Sequence, residues 1–338
     1  MAFNGRFVVN MAFLAQNQGI QVSDILGNLP QSLDELCQED CVITNSEYNQ
    51  VIERAVALTK DPHFGLHAGE HLNLSAAGLI GQITQNSATV KQALQYCCDF
   101  ANLGCSVLPM SLVTHKNYLK VVISPDLDWA NGSEIAFQQT VNGVIAFSIR
   151  EIESLIPNKI PVVKVTLPWM KPLNTAEFER ILNAEVLFDQ NEIAIYLDQE
   201  VANSRIINSD YELLRILVAH AETKSQQYEL QQGFSNTVRK SVVRLIKPEF
   251  PTIDQVASHL NMSTRTLQRK LKSEGITYQQ MLHEIRFDLA KDYLRNQNLT
   301  VKEISYLLGY SESSVFVKAF KTWAGITALE YRTQHIKS

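Results

Sequence analysis

Ile253-Asp254-Gln255-Val256-Ala257-Ser258-His259-Leu260, then Asn261-Met262-Ser263, then Thr264-Arg265-Thr266-Leu267-Gln268-Arg269-Lys270-Leu271-Lys272, is a unit the chain writes twice. The second version is Val301-Lys302-Glu303-Ile304-Ser305-Tyr306-Leu307-Leu308, then Gly309-Tyr310-Ser311, then residues 312 to 321. Ile253, Val256, Ala257 and Leu260 fall on Val301, Ile304, Ser305 and Leu308 at an offset of 48. Leu267 and Leu271 fall on Phe316 and Phe320 at an offset of 49. Internal repetition on this scale means one supersecondary unit used twice.

Apolar residues at i, i+3, i+4 and i+7 predict a first helix with one buried stripe. Asn261 and Gly309, which tolerate the left-handed conformation, end that helix in each copy. Ser263 and Ser311 are expected N-caps of the second helices. With Leu267 and Leu271 turned inward, Arg265, Gln268, Arg269 and Lys272 are left outward. Arg can take guanine edges bidentately, Gln adenine edges, and Lys suits phosphate. Such a face is ordinarily just solvated; the repeat, the turns and the charge together point to a double helix-turn-helix. A third helix, about 280 to 295, carries an apolar face of Met281, Leu282, Ile285, Leu289, Tyr293 and Leu294. It predicts a rod of roughly 22 Å, able to hold two recognition helices about 34 Å apart, in successive major grooves.

The stretch resembles the DNA-binding domain of the AraC/XylS-type transcription regulators. The residues that carry the resemblance are Leu267-Gln268-Arg269, Ile285-Arg286 with Ala290 and Leu294, Gly309-Tyr310, and Phe316, Lys318, Ala319, Phe320, Lys321, Trp323, Gly325 and Tyr331-Arg332. The resemblance implies base contacts from Arg265, Gln268 and Arg269 in the first recognition helix and from Ser313, Ser314, Val317 and Lys318 in the second. Lys272, Lys302 and Lys321 are the expected phosphate contacts. Val317 stands where the family is often polar, which points to less readout or to a thymine methyl. Ala328 replaces a Pro usual in the closing segment.

Length and charge frame the rest. The 338 residues suggest two domains. The net charge of −5 is unevenly spread: residues 231–338 hold 16 Lys+Arg against 9 Asp+Glu, net +7, and residues 1–230 hold 14 against 26, net −12. A basic module beside an acidic one fits a nucleic-acid reader attached to a part that stays off DNA. No run approaches 18 apolar residues, so no membrane span or membrane partner is expected, and residues 1–19 do not read as a signal peptide. The five cysteines suit a reducing cytoplasm, and their spacing favours buried thiols over zinc.

Residues 21–104 read as mostly helical, with Val51, Ile52, Ala55, Val56 and Leu58 on one stripe ended by Asp61-Pro62, and Ser87 expected to cap a helix through Val90 and Leu94. His67-x-x-Glu70-His71 formally matches a metalloprotease motif, but Gly65 and Gly69 argue against a rigid helix and no distant acidic ligand stands out, so no metal is expected. Asp61-Pro62-x-x-Gly65-Leu66-x-x-Gly69-Glu70 resembles a segment of AraC-type sensor domains, which favours a structural role. Val107–Val113 and Tyr118–Ser124 predict strands joined through Lys116-Asn117. Ile135–Ile156 predicts a long helix stopped by Pro157-Asn158. Val162–Leu167, Glu185–Phe188 and Glu192–Leu197 predict strands, with a short helix at Thr175–Leu182. The pattern predicts an α+β domain over 1–205, resembling the arabinose-binding type of N-terminal sensor, a name that does not commit it to a sugar. A helical linker follows over 206–232, ending at Gln231-Gln232-Gly233, and an all-α domain with two helix-turn-helix units joined by a linker helix fills 233–338. In the linker, packing on its own domain is favoured over a coiled-coil dimer seam.

These readings lead to a sequence-specific, ligand-responsive transcription regulator, expected to be an activator in the cytoplasm. Its partners are double-stranded DNA and a small-molecule effector, with RNA polymerase and a homodimer further candidates. No catalytic residues and no cofactor are expected. An enzyme-like N-terminal domain fused to a DNA reader and a ligand-independent architectural binder are the alternatives. Tyr118, Phe137, Val141, Ile145, Phe147 and Trp169 are expected to line a ligand pocket. Lys164, clustered with Lys116, Lys120 and Lys171, is expected to anchor a small carboxylate there.

Overall fold

The computed structural model describes the chain except residues 1, 39–40, 73–76, 157–161, 208, 232, 247–248, 296–298 and 337–338. The Pro157-Asn158 stop and Gln232 of the expected joint lie outside the described residues. The chain divides into two compact units, Met1–Ser225 and Gln226–Ser338.

The first residues form β1 (Ala2–Asn4) and α1 (Gly5–Gln16), and α1 buries Val8, Val9, Met11, Ala12 and Ala15. Then come α2 (Val22–Leu26), α3 (Leu33–Leu36) and β2 (Val42–Thr44), which pairs antiparallel with β1. Thr44 starts α4 (Asn45–Thr59) with a capping box closed by Glu47. Leu58 of the expected stripe stays exposed while Val51, Ile52 and Ala55 are buried. Three further helices follow, α5 (Phe64–His71), α6 (Gly78–Asn86) and α7 (Val90–Asp99), then one turn, α8 (Ala101–Gly104). Ser87 does not cap α7. Its hydroxyl donates back to Ile83 O and closes α6, while Thr89, two residues on, accepts from Gln92 N at the start of α7.

β3 (Met110–Thr114) and β4 (Tyr118–Ile123) form the expected hairpin, and α9 (Leu127–Ala130) leads to the long α10 (Glu134–Leu155). β5 (Lys164–Thr166), α11 (Ala176–Leu182), β6 (Glu185–Leu187) and β7 (Ile193–Asp198) complete the sheet, in the order β3-β4-β7-β5-β6. Among the described residues only β5 and β6 run parallel within it. Along β4 burial alternates, with Leu119, Val121 and Ile123 inside and Tyr118 and Lys120 on the other face, as a half-covered sheet requires. α12 (Gln199–Asn203) and α13 (Tyr211–Gln231) follow, the latter running past the boundary between the units.

α5 and α10 touch backbone to backbone. A Cβ on Gly65 would stand 2.0 Å from Gln139 O, and one on Gly69 2.3 Å from Gly143 O. The two glycines that argued against a rigid helix are what lets α5 lie there. Gln139, nearly buried, accepts from Gly65 N (2.6 Å) and donates to Pro62 O (2.9 Å), so it satisfies the start of α5 from across the crossing.

The second unit is helical: α14 (Phe234–Leu245), α15 (Ile253–His259), α16 (Thr264–Ser273), α17 (Tyr278–Arg295), α18 (Val301–Leu307), α19 (Ser313–Ala324) and α20 (Ala328–Ile336). α15–α16 and α18–α19 are the two helix-turn-helix units. Their turns hold Asn261 and Gly309 at φ 52° and 76°, the left-handed region both were expected to occupy. Each copy begins with the same device, a Thr capping box: Thr252 with Gln255, and Thr300 with Glu303. The fold is thus an α+β domain followed by an all-α double helix-turn-helix.

Candidate DNA interface and sensor cavity

On α16 the helical period separates two faces. Leu267 and Leu271 are fully buried in a core with Val256, Ala257, Met281 and Ile285. Ser263 caps the helix as expected, accepting from Thr266 N. On the opposite face Arg265, Gln268, Arg269 and Lys272 are exposed and, with Thr266, line one shallow groove. Among the described residues no protein group holds the side chains of Arg265, Gln268 or Arg269, so their donors remain free for an outside partner.

α19 is built the same way around Phe316 and Phe320, both fully buried. Its cap is Glu312 rather than Ser311, and Glu312 accepts from Ser314 Oγ (3.2 Å) without capping the helix backbone. Ser314, Lys318 and Lys321 are exposed, as is Lys302 on α18, while Ser313 is half-buried. Val317 is half-buried against the second core. Val315, absent from the sequence-based set, is 49% exposed on this face. Its repeat partner at an offset of 49 is Thr266, which lines the α16 groove, and that register was the signal that could have found it.

α17, about 27 Å long at 1.5 Å per residue, belongs to both cores. Tyr278, Met281, Leu282 and Ile285 enter the first, and Ala290 and Leu294 the second. Arg286 ties the copies together: its Nε donates to Leu308 O (3.1 Å) at the second turn, and its guanidinium lies 4.6 Å from the Phe250 ring centre. Arg332 donates to Leu294 O and Leu299 O (3.1 and 2.7 Å), fastening the end of the rod.

The first unit holds a cavity of about 170 Å³, partly open to the surface. Its walls come from α1 (Phe7, Met11), α6 (Ile80, Gly81, Thr84), α7, α10 and the inner sheet face (Val121, Ile123, Ile195). Of the residues expected to line a pocket, only Phe147 does so. Tyr118, Phe137, Val141, Ile145, Lys164 and Trp169 lie elsewhere, for two reasons. Val141 and Ile145 are fully buried in the core and do not reach the cavity, although Ser148 and Ile152, a turn or two further along the same stripe of α10, do line it. Tyr118 and Lys164 sit on the sheet's other face, where the strand period of two sends them. There the Lys164 ammonium lies 4.3 Å from the Tyr196 ring centre, and Lys120 pairs with Glu192 (2.9 Å). Phe137 and Trp169 pack edge to face on each other.

The His67 motif is an inter-helix ion network. His67 Nδ1 meets Asp61 (2.6 Å) and its Nε2 meets Glu177 of α11 (3.2 Å). Glu70 takes both arms of Arg180 (2.7 and 2.9 Å). Burial opposes the charge on His67, but hydrogen bonds to Asp61 and Glu177 outweigh it and raise its pKa. Arg180 holds Glu70 below the usual carboxylate range. Among the described residues no group of three or more His, Cys, Asp or Glu is disposed to hold a metal. Burial pushes the Cys97, Cys98 and Cys105 thiols up to about 12, so at neutral pH they are protonated and poor nucleophiles. Among the described residues no helix is long and apolar enough to cross a membrane.

An α+β domain followed by paired helix-turn-helix units on a shared rod defines a DNA-binding transcription regulator. Comparison with known proteins gives the family. Residues 19–206 match the arabinose-binding domain of AraC transcription regulators, N-terminal, and residues 256–334 match a helix-turn-helix domain. The chain belongs to the AraC family of transcription regulators. It is 28% identical over 289 residues to the ornithine utilization regulator of Pseudomonas aeruginosa, covering 85% of this chain and 83% of that one. It is 25% identical over 277 residues to the HTH-type transcriptional regulator VqsM of the same organism, covering 79% and 83%. The crystal structure of the transcriptional regulator CdpR, also from Pseudomonas aeruginosa, shares the fold over 98% of this chain and 99% of that one, at 22% identity and a TM-score of 0.50.

Proposed function

We propose that this regulator reads base edges through Arg265, Gln268 and Arg269 of α16 and through Ser313, Ser314, Val317 and Lys318 of α19, with Val315 added to the second set. Lys272, Lys302 and Lys321 take phosphates. The observation that carries this is the groove on α16: unpaired Arg and Gln donors on one face, two fully buried leucines on the other. The test compares two variants. Arg269→Ala loses roughly 1–3 kcal/mol of discrimination at one or two base pairs. Lys321→Ala weakens all duplexes alike and flattens the salt slope by about one unit. Equal loss on specific and random DNA for Arg269→Ala sinks the base-contact assignment.

The α+β domain, over about residues 1–205 of the first unit, is the sensor of a small molecule, the cavity is its site, and residues 206–232 carry the signal to the DNA reader at 233–338. RNA polymerase is the partner through which a bound regulator activates. Tyr211, Leu213 and Ile216, exposed on α13, support a homodimer, which sedimentation of the full chain with and without a Leu213→Glu, Ile216→Glu pair checks. A chain that reads DNA acts in the cytoplasm.

A further inference from the structure

We infer that the cavity takes a small uncharged apolar molecule with one hydrogen-bonding group, rather than a sugar, a carboxylate or an amino acid. This rests on reading the first unit as an effector sensor, and it names the class of effector. Three observations carry it.

The first is charge. Among the described residues no Lys, Arg or His lines the cavity, and the one lining carboxylate, Glu151, already accepts from Arg150 (2.8 Å). A carboxylate inside would lie in an apolar space without a cation, and burying a charge is costly unless it is paired. A zwitterionic amino acid meets the same obstacle at its carboxylate, whatever its amine finds at Glu151.

The second is hydrogen-bonding capacity. Thr84 Oγ1 donates to Gly81 O (2.8 Å), and Thr140 Oγ1 donates to Ala136 O (2.6 Å) while meeting Tyr48 OH (3.0 Å). The cavity's hydroxyls are therefore largely engaged within the protein, and among the described residues the polar edge left to a ligand is Ser148 with the Glu151 oxygen that Arg150 does not hold, three residues apart on one face of α10. A pyranose with four or more hydroxyls would leave most of them unpaired, whereas a single hydroxyl or N–H finds its partner there. Among the described residues, none of the buried polar side-chain atoms that lack a partner belongs to the cavity wall.

The third is size. About 170 Å³ is slightly more than the roughly 150 Å³ apolar cavity that accommodates benzene. The space suits a molecule of about six to ten non-hydrogen atoms. The position also offers a readout. Ile80, Gly81 and Thr84 of α6 face the cavity, while Leu79, Ile80 and Ile83 join Leu214, Leu217, Val218 and Ala221 of α13 in a separate cluster. One helix thus touches the ligand space and the element that runs into the second unit. Occupancy that favours one α6–α13 packing shifts the regulator's equilibrium by that difference in affinity.

The experiment uses the full chain with five probes: indole and 1-hexanol against hexanoate, L-ornithine and L-arabinose. Calorimetry should show saturable binding of indole or 1-hexanol, with Tm raised by about 5 °C or more at a hundred times Kd. The other three should bind at least tenfold more weakly. Val144→Phe, which fills the space from α10, should abolish probe binding and make DNA affinity, whatever its level, insensitive to either probe. Should that variant fail to fold, Leu94→Ala enlarges the cavity, and naphthalene should then bind more tightly than to the unaltered chain. Binding of hexanoate, ornithine or arabinose that Val144→Phe removes overturns the class, as does the absence of binding by both uncharged probes. The sensor reading fails separately: a bound apolar probe that leaves DNA affinity and transcription unchanged supports the cavity assignment and removes the effector role. A charged molecule that alters DNA binding in both the unaltered chain and Val144→Phe keeps the effector role and overturns the cavity assignment.

Discussion

His67 shows how a residue's meaning is set by its neighbours. In sequence, His67-x-x-Glu70-His71 has the spacing of a zinc helix. In the fold, each partner is committed: His67 to Asp61 and Glu177, Glu70 to Arg180. The commitment is visible only when α11, more than a hundred residues on, is placed beside α5. The network makes a pH prediction. The folded-state pKa of His67 is raised, so its contribution is full below the unfolded value of about 6.5 and is lost as pH rises through the folded value. The Tm of the first unit within the full chain should therefore fall between pH 6 and pH 8, and the fall should be smaller in His67→Gln. Equal slopes in both proteins contradict the pairing. At the same scale, Arg265, Gln268 and Arg269 needed only local information: an i, i+4 pair of leucines fixes which side faces out.

Among elements, α5 and α16 sit at opposite ends of legibility. α16 and its repeat were readable because both the buried stripe and the turn residues lie within twenty positions of each other. α5 is a helix against the expectation from its glycines because glycine's cost is local and its benefit is not. Alanine gains about 1 kcal/mol over glycine in a free helix, but here its Cβ would meet the α10 backbone, 2.0 Å from Gln139 O at position 65 and 2.3 Å from Gly143 O at position 69. Backbone does not yield as a side-chain tip does, so overpacking wins. Gly65→Ala should destabilise the first unit by about 2 kcal/mol or more, read as a lower urea midpoint. An unchanged or higher midpoint would mean that the helices do not approach this closely. α10 hid the cavity for a related reason. It is apolar on more than one side, and periodicity cannot tell positions packed in the core, such as Val141 and Ile145, from those that border a space, such as Val144, Phe147 and Ile152. α17 joins two cores, and Arg286 braces it against the second turn. Arg286→Ala should leave each helix-turn-helix folded yet loosen their spacing, lowering affinity for a full site far more than for a half-site. Equal loss on both would assign Arg286 a purely local role.

Across the whole molecule, the charge division of −12 and +7 between residues 1–230 and 231–338 anticipates two units of different business. The second has its own cores, one around Leu267 and Leu271 and one around Phe316 and Phe320. A fragment beginning at Gln226 should accordingly fold alone, show helical circular dichroism, and bind DNA with an affinity that falls steeply as salt rises. An unfolded fragment, or one indifferent to salt, would contradict this. The family and the order of domains were legible because the repeat and its charges are local in sequence. The ligand space was not, since its walls come from helices and strands scattered from Phe3 to Ile195. The most direct test of the central claim is selection of bound duplexes from a randomised library, with the unaltered chain and with Arg269→Ala. The account predicts two blocks of preferred bases with centres about 10–10.5 base pairs apart, one of which loses roughly 1–3 kcal/mol of preference in the variant while the other is kept. Uniform recovery of all sequences, or two blocks that Arg269→Ala leaves untouched, would contradict it.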